Sequence, residues 1–575
     1  MPDYEARLSE FRQAMKHLHC DAFIIPQGDI WDKENPEASQ NRFLYMSGLD
    51  ASAGFVVVTQ EQAAVLIDFR YKEFAKDNID HSVYEVGYYT DTPPEEWLIE
   101  RLKINAVIGY DPWLHTRKEA KRMQKACNEA GVILLSVDTN PVDQIWQDRP
   151  TSLDYTAIPH DIRFTGLSVD DKIKLVAEAI EKNEADSIII TAEDSIAWLL
   201  NMRTLENSQS PGIRGFAIFQ SEHKKLTVFT DVDCSAFDSS EAKHFEVDFL
   251  SLEEFPMAVS YFERVEQVVQ IADTAPDWFT EHLNAPASEI IRKTDPCEAL
   301  KASKNEIEQK GIRESHIRDG KAVQKVIEWV KTTRDITEKD VADKLYEERL
   351  KSNMFRGVSF DTISGWNANG ANIHRKFTET NNTKIQGSGF LLLDSGAQYD
   401  DGTTDITRTI PVGTVTEDMR HKYTLVLKGH IALATAIFPE GATGAQLDAL
   451  ARAPLWMAGI DYAHGTGHGV GYFLNVHEGP YGISPRSTDG IKEGMLLSNE
   501  PGYYKEGVYG IRLENLILVR KYKVPDETGN ETGKKLLCFE TVTKVPFEDS
   551  CIDRDMLTEA EKEWLDDYNA SCKLA

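Results

Sequence analysis

Four carboxylates and an imidazole in the last third of the chain are of the types, and lie in the contexts, that hold metal ions for hydrolysis. The stretch FLLLDSGAQYDDGTTDITRT (Phe390–Thr409) puts Asp394 at the end of one apolar run and Asp405 within a second alternation. HGTGHGVGYFLNVHEGP supplies His464, His468 and His477. LLSNEPGYY ends an apolar strand on Glu500, and GIRLENLILV carries Arg512 and Glu514. Taken singly, each has an ordinary role. Asp394 before Ser-Gly suits a turn, His468 a hydrogen-bonded turn, and Glu514 a sheet edge or an arginine partner. Taken together they bury an excess of negative charge, which is costly unless a cation pairs with it. Two divalent cations would neutralise it. Oxygen-rich ligation with one nitrogen suits Mn, Co, Fe or Zn. Two such ions about 3.5–4 Å apart activate a water and polarise a carbonyl, which is hydrolysis without a protein nucleophile.

Other chemistries fit less well. GTGHGVG fails the spacing of dinucleotide and Walker loops, and no Lys-Ser/Thr follows it. Its glycines read instead as letting the backbone come close to a ligand. Glycines between His464 and His468 argue against a zinc-binding helix, and neither HExxH nor GxSxG occurs.

These residues need elements to position them. A chain of 575 residues exceeds one core, and three domains are expected. The first third alternates helix and strand. A helix over about 4–19 leads to the strand DAFIIP, then FLYMSGLD, then the strands SAGFVVVT and AAVLIDFRY. The strand NAVIGYD, a helix ending at Gly131 and the strand VILLSVD follow. The same order then returns: a helix, DSIIIT, IAWLLNMR, RGFAIFQ and KLTVFTD. Residues 1–152 and 153–297 therefore read as two copies of one α/β unit. Residues 298–575 read as an α+β domain, with a charged helix over 305–330 and a second opening at the capping box Thr337/Asp340. Helices over 416–438 and 443–457 sit among antiparallel strands, and a last helix opens at Thr558 with Glu561 three residues on. Period-two alternation puts Arg512 and Glu514 on one inward face, with Ile511 and Leu513 on the other.

Composition narrows the partners. With 63 Lys+Arg against 94 Asp+Glu, a net charge of -31, the chain lacks the basic face that nucleic acid or an anionic membrane requires. Seven scattered cysteines without CxxC spacing read as free thiols of a reducing compartment, so a cytoplasmic location is expected. The opening stretch reads as an amphipathic charged helix rather than a leader, and no run approaches the roughly 20 apolar residues of a membrane span.

The blocks LLDSGAQYDDGTTDITRT, HGTGHGVGYFLNVHEGP, NEPGYY and GIRLEN, in this order, resemble those of the long, three-domain cytosolic Xaa-Pro aminopeptidases. VDQIWQDRP and SIAWLL extend the resemblance across nearly the whole chain. It implies two related α/β domains followed by an α+β pita-bread (creatinase/aminopeptidase-like) catalytic domain. It implies release of the N-terminal residue from peptides with proline second, with manganese as the usual metal and a homodimer as the common assembly. By the same resemblance Asp394 binds one metal, His468 and Glu500 the other, and Asp405 and Glu514 bridge. Glu500 would also take the proton of the attacking water and pass it to the leaving proline nitrogen. His464 and His477 match histidines around the metals and against the substrate, and a neutral His477 would stabilise the developing oxyanion. His374, in NGANIHRKF, matches a third along the substrate path, and Arg512 an arginine that supports the bridging region.

One departure stands out. Asp68-Phe69-Arg70-Tyr71 occupies a place where the family often has Asp-Gly-Arg-Tyr, and Phe excludes an easy left-handed backbone there. Rival readings remain open at this stage. A prolidase cutting only Xaa-Pro dipeptides needs a fixed cation for the free carboxylate, and Arg375, Arg408 and Arg512 are the nearby arginines. A methionine aminopeptidase would lack the two preceding domains. A metal-free hydrolase such as creatinase, or a non-catalytic binding module, would be expected to lose ligands that are all present here.

Overall fold

The computed structural model describes residues 3–31, 34–283, 288–377, 381–523 and 535–574. The chain divides into two compact units. One comprises Met1–Ile158, Val169–Met202 and Gly212–Pro296; the other comprises Pro159–Ser168, Arg203–Pro211 and Cys297–Ala575.

The first unit contains two six-stranded sheets of one design. In the first sheet the order is Glu85–Tyr88, Ala63–Ile67, Gly54–Thr59, Ala22–Pro26, Val107–Tyr110 and Ile133–Ser136. In the second it is Glu246–Leu250, Lys225–Phe229, Phe216–Gln220, Ser187–Ile190, Val268–Ile271 and Glu289–Arg292. In both, the third strand from the start runs antiparallel to its two neighbours, and every other pairing is parallel. The central strands AFIIP and SIII are buried throughout, which is why they read as unbroken apolar runs rather than alternations. Helix Arg117–Ala130 starts in a Thr116/Glu119 capping box and stops at Gly131, whose φ is +70°. FLYMSG and SIAWL, to which the sequence assigns no element, form the short helices Arg42–Ser47 and Glu193–Leu199. Phe69 needs no left-handed backbone. It lies in a single 3₁₀ turn, Phe69–Tyr71, capped by the Asp68 carboxylate, which also accepts from Arg70 Nε at 2.7 Å.

The second unit is built from antiparallel sheet and helices. Helix Glu306–Thr332 opens in an Asn305/Glu308 capping box, and helix Glu338–Arg349 in the expected Thr337/Asp340 box. The strands Gly389–Tyr399 and Gly402–Val412 form a long hairpin that also pairs with Phe355–Val358 and Ile363–Trp366. A six-stranded sheet runs Ile437–Pro439, Leu536–Thr541, Asn515–Tyr522, Leu496–Asn499, Gly467–Gly469 and Glu478–Ile483. The helix expected over 416–438 ends at Ala434. Beyond it the burial period changes to two, with Ile437 out and Phe438 in, and Ile437–Pro439 joins the sheet instead.

The hairpin is packed on both faces. Leu391, Leu393, Ile406 and Ile410 meet Val323, Val326 and Val330 of the long helix. Phe390, on the opposite face, meets Tyr423 and Leu427 of helix Glu417–Ala434. Alternation puts Asp394 and Asp405 on the Phe390 side, away from the long helix.

Candidate metal centre

The hairpin register fixes the first two carboxylates. Asp394 pairs with Thr407 and Asp405 with Gly396, so the two aspartates are diagonal neighbours on one face. A Cβ on Gly396 would lie 2.1 Å from Ser359 Oγ and 2.2 Å from Thr404 O, so only glycine allows Asp405 this partner.

His468 lies on the short strand Gly467–Gly469. Its Nδ1 stands 2.8 Å from Gly469 O. A carbonyl only accepts, so the proton belongs on Nδ1. Nε2 then turns a lone pair toward Asp405 Oδ2 at 3.4 Å and Glu500 Oε1 at 3.7 Å. A lone pair facing carboxylate oxygens is repulsive unless a cation lies between them, and a backbone-fixed tautomer of this kind is how metal-binding histidines are oriented. The glycines around His468 have a different use from the one the sequence suggests. A Cβ on Gly467 would meet Ser498 O at 1.9 Å, and one on Gly469 would meet Glu478 O at 2.3 Å. The close approach is to neighbouring strands.

Glu500 follows the strand Leu496–Asn499, and its N–H donates to Thr466 O at 2.8 Å. Glu514 lies between strands. The expected single strand through Arg512 and Glu514 is broken at residues 513 and 514, where the chain leaves the two-stranded pair Gly502–Lys505/Tyr509–Arg512 and enters the six-stranded sheet. The two side chains nevertheless reach one point. Thr407 Oγ1 donates to Glu514 Oε2 at 2.8 Å and accepts from Arg512 Nε at 3.2 Å. Donor atoms of Asp405, His468 and Glu514 lie within 4.8 Å of one another.

Arg512 is fully enclosed. It donates to Asp394 Oδ2 at 2.5 Å and to Tyr504 OH at 2.8 Å. Tyr504 stands 2.8 Å from His464 Nε2, and His464 Nδ1 donates to Gly465 O at 2.7 Å. Tyr504 therefore links Arg512 to His464, a connection the sequence reading missed. Its signal was available: Gly502 pairs with Arg512 in the hairpin, and period two brings Tyr504 to the same face. His477 is exposed. Its ring is perpendicular to that of His468, with centroids 4.3 Å apart. His374 is half-buried and follows Ile373, whose carbonyl lies 3.5 Å from Arg512 Nη2.

The electrostatics favour an added cation. Burial, reinforced by Asp394, holds the Asp405 carboxyl well above its usual range, against the pull of His477 and Arg512. Burial and the charges of Asp405, Glu500 and Asp394 do the same to Glu514. Enclosure lifts Glu500 to about 7; His468 and Arg512 oppose the rise, while Asp405 and Asp394 add to it. Burial also lifts the Tyr504 phenol to about 12. Asp394 Oδ1 is buried with no hydrogen-bond partner. An orphaned carboxylate oxygen, a directed imidazole lone pair and acids that resist ionisation are a donor set that fits divalent metal.

Of the three arginines that a free substrate carboxylate might use, each is engaged. Arg375 Nη2 donates to the fully buried Glu338 at 2.9 Å. Arg408 donates to Asn515 Oδ1 at 2.7 Å, Tyr568 OH at 3.0 Å and the carbonyls of Glu514 and Val545. Arg512 is held as described. All seven cysteines are unpaired, and no described helix is long and apolar enough to cross a membrane.

Comparison with known proteins gives this geometry a context. Residues 310–521 match metallopeptidase family M24, and 535–574 match the C-terminal region of peptidase M24. Residues 7–145 and 148–308 each match the creatinase/prolidase N-terminal domain. The probable Xaa-Pro aminopeptidase P of Laccaria bicolor is 37% identical over 98% of this chain and 89% of its own length. That of Paracoccidioides brasiliensis is 36% identical over 99% of this chain and 95% of its own. The X-prolyl aminopeptidase of Caenorhabditis elegans, a cytosolic enzyme with a di-nuclear active site, superposes with a TM-score of 0.92 at 30% identity, covering 100% of this chain and 96% of that one. The Xaa-Pro dipeptidase of Bacillus anthracis is similar over 66% of this chain, with a TM-score of 0.52 at 25% identity.

Proposed function

The chain belongs to the Xaa-Pro aminopeptidase P group of metallopeptidase family M24, and we propose that Asp394, Asp405, His468, Glu500 and Glu514 are its metal ligands. It is a metal-dependent exopeptidase that releases the N-terminal residue from peptides with proline at the second position. The observation that carries the ligand assignment is the convergence of Asp405, His468 and Glu514 within 4.8 Å, beside the open oxygen of Asp394. Asp405 and Glu514 would be shared by the two ions, Asp394 would hold one, and His468 and Glu500 would hold the other.

Two divalent ions held by these residues, with manganese proposed, would supply a water acidic enough to attack at neutral pH and would polarise the scissile carbonyl. The protein's own residues do the rest. Glu500, at the end of the strand Leu496–Asn499 and 3.7 Å from His468 Nε2, would take a proton from the attacking water and hand it to the leaving proline nitrogen. His477, on the exposed side of His468, donates to the substrate carbonyl oxygen as negative charge develops there. Arg512 neutralises Asp394 and holds Tyr504, and Tyr504 in turn orients His464. His374 lines the path of the peptide. A prolyl nitrogen carries no hydrogen, so the scissile bond is a tertiary amide, and a site that grips the ring rather than an N–H selects for it. The engagement of Arg375, Arg408 and Arg512 supports peptides over free dipeptides as substrates.

We further propose domain boundaries near residues 152 and 297, supported by the two sheets of matching order. A cytoplasmic location is supported by the unpaired thiols. A homodimer is proposed from the family resemblance alone. Light scattering checks the assembly. The central test is elemental analysis of the purified protein together with chelation and metal add-back on an Arg-Pro-Pro peptide. Two equivalents of metal and recovery with Mn2+ are expected; full turnover by metal-free protein would refute the assignment.

A further inference from the structure

We propose that a buried cluster outside the metal site, Lys301 and Lys304 on Glu478, is a positioning device for His477. The side chains of Lys301, Lys304 and Glu478 are 2%, 0% and 2% exposed. Lys304 Nζ donates to Glu478 Oε2, and Lys301 Nζ stands 3.6 Å from Oε1. Two buried ammonium groups facing Glu478, with the buried Glu308 carboxylate also acting on Lys304, are expensive, and an apolar trio in place of Lys301, Lys304 and Glu478 would generally be as stable or more so. What the charges provide, and an apolar trio does not, is a directional hold on one carboxylate.

That hold reaches the site through the main chain. Lys304 is itself anchored: its N–H donates to Gly494 O at 2.9 Å, and its carbonyl accepts from Gln309 Nε2 at 2.8 Å. Glu478 is the first residue of the strand Glu478–Ile483 and pairs with Gly469. The two backbones touch so closely that a Cβ on Gly469 would lie 2.3 Å from Glu478 O. Gly469 O accepts the His468 Nδ1 proton, and His477 is the residue before Glu478. The cluster therefore fixes the chain segment that sets the His468 and His477 rings perpendicular at 4.3 Å. His477 is exposed on one side and meets the His468 ring edge-on, so the segment that carries it sets where it stands against that ring.

The inference rests on the reading that His477 contacts the substrate carbonyl, and its test separates the two. The triple variant Lys301→Met/Lys304→Met/Glu478→Leu is made in the wild-type and His477→Ala backgrounds of the full, metal-loaded protein. Melting temperature, metal content, kcat and KM are measured for each. The expected triple variant melts at or above wild type and keeps its metal and KM. It loses kcat by about 10- to 100-fold, the cost of a misplaced positioning group. In the His477→Ala background the same substitutions cost less than about twofold, because the group they position is gone. A kcat within about twofold of wild type, or the same loss in both backgrounds, overturns the proposal. Lys301→Met alone leaves a single cation on Glu478; it runs through the same cycle as the milder change, and additivity there overturns the proposal equally. If His477→Ala alone keeps its kcat, the role of His477 fails instead.

Discussion

Replacing Thr407 by valine removes a single hydroxyl and should weaken metal binding sharply. Thr407 is fully buried. Its hydroxyl donates to Glu514 Oε2 at 2.8 Å and accepts from Arg512 Nε at 3.2 Å. Its main-chain carbonyl also accepts from Glu514 N–H at 3.1 Å, and valine keeps that bond. The lost bond is to a carboxylate that must be ionised to ligate. Hydrogen bonds to charged groups contribute about 1.5–3 kcal/mol, which translates to roughly 10- to 150-fold in affinity at about 1.4 kcal/mol per tenfold. Valine nearly matches threonine in shape, so the hairpin should survive. The assay is Mn2+ titration of chelator-stripped protein, followed by electron paramagnetic resonance or calorimetry, with Thr407→Ser as the control that restores the hydroxyl. The reasoning predicts that serine binds within about threefold of wild type while valine does not. Valine binding Mn2+ as tightly as wild type would show that Thr407 does not orient a ligand.

Other expectations follow from the same geometry. His477→Ala should lower kcat by about 10²–10³ and leave bound metal unchanged by elemental analysis; loss of metal would make His477 a ligand. In stripped protein, Glu500 is lifted to about 7 from an unfolded value near 4.3. The folded state therefore keeps a proton that the unfolded state releases. This contribution to stability is full below about pH 4.3 and is lost as pH rises through about 7, with Asp405 and Glu514 acting in the same direction. Calorimetry should thus show the rise in melting temperature on adding Mn2+ growing from pH 5 to pH 8, and a rise that shrinks would contradict the burial argument. Comparing kcat/KM for Arg-Pro-Pro, amide-capped Arg-Pro and free Arg-Pro should show the first two cut at least as well as the third; cleavage of the free dipeptide alone would point to a carboxylate-binding cation in the site. Arg375→Met should cost about 3–5 kcal/mol of stability by denaturant melting, since it strands the buried Glu338, and an unchanged midpoint would mean that the ion pair is dispensable.

What the sequence determined by itself was whatever depends on local spacing. Apolar runs and alternations marked the strands that carry Asp394 and Asp405 and the one that Glu500 follows, because side-chain direction follows the two-residue period of a strand. Capping boxes at Thr337 and Thr558 marked helix starts because their hydrogen bonds close within four residues. The repeated order of helices and strands was visible for the same reason. The ligand residue types were legible too, since an excess of carboxylates in apolar contexts calls for a cation.

Tertiary structure alone decided which partner each buried charge takes. Arg375 follows His374 in sequence and could have served a substrate carboxylate, yet Glu338, 37 residues earlier, claims it. Arg512 and Glu514 were expected on one strand. They share a face only because Thr407, a century of residues away in the chain, meets both, while the strand itself breaks between them. The glycines around His468 looked like room for a ligand and instead admit Ser498 and Glu478 backbone. Each of these is a competition among distant groups for one buried position. Local spacing carries no record of that competition, because the desolvation cost that decides it exists only once the strands have been brought together.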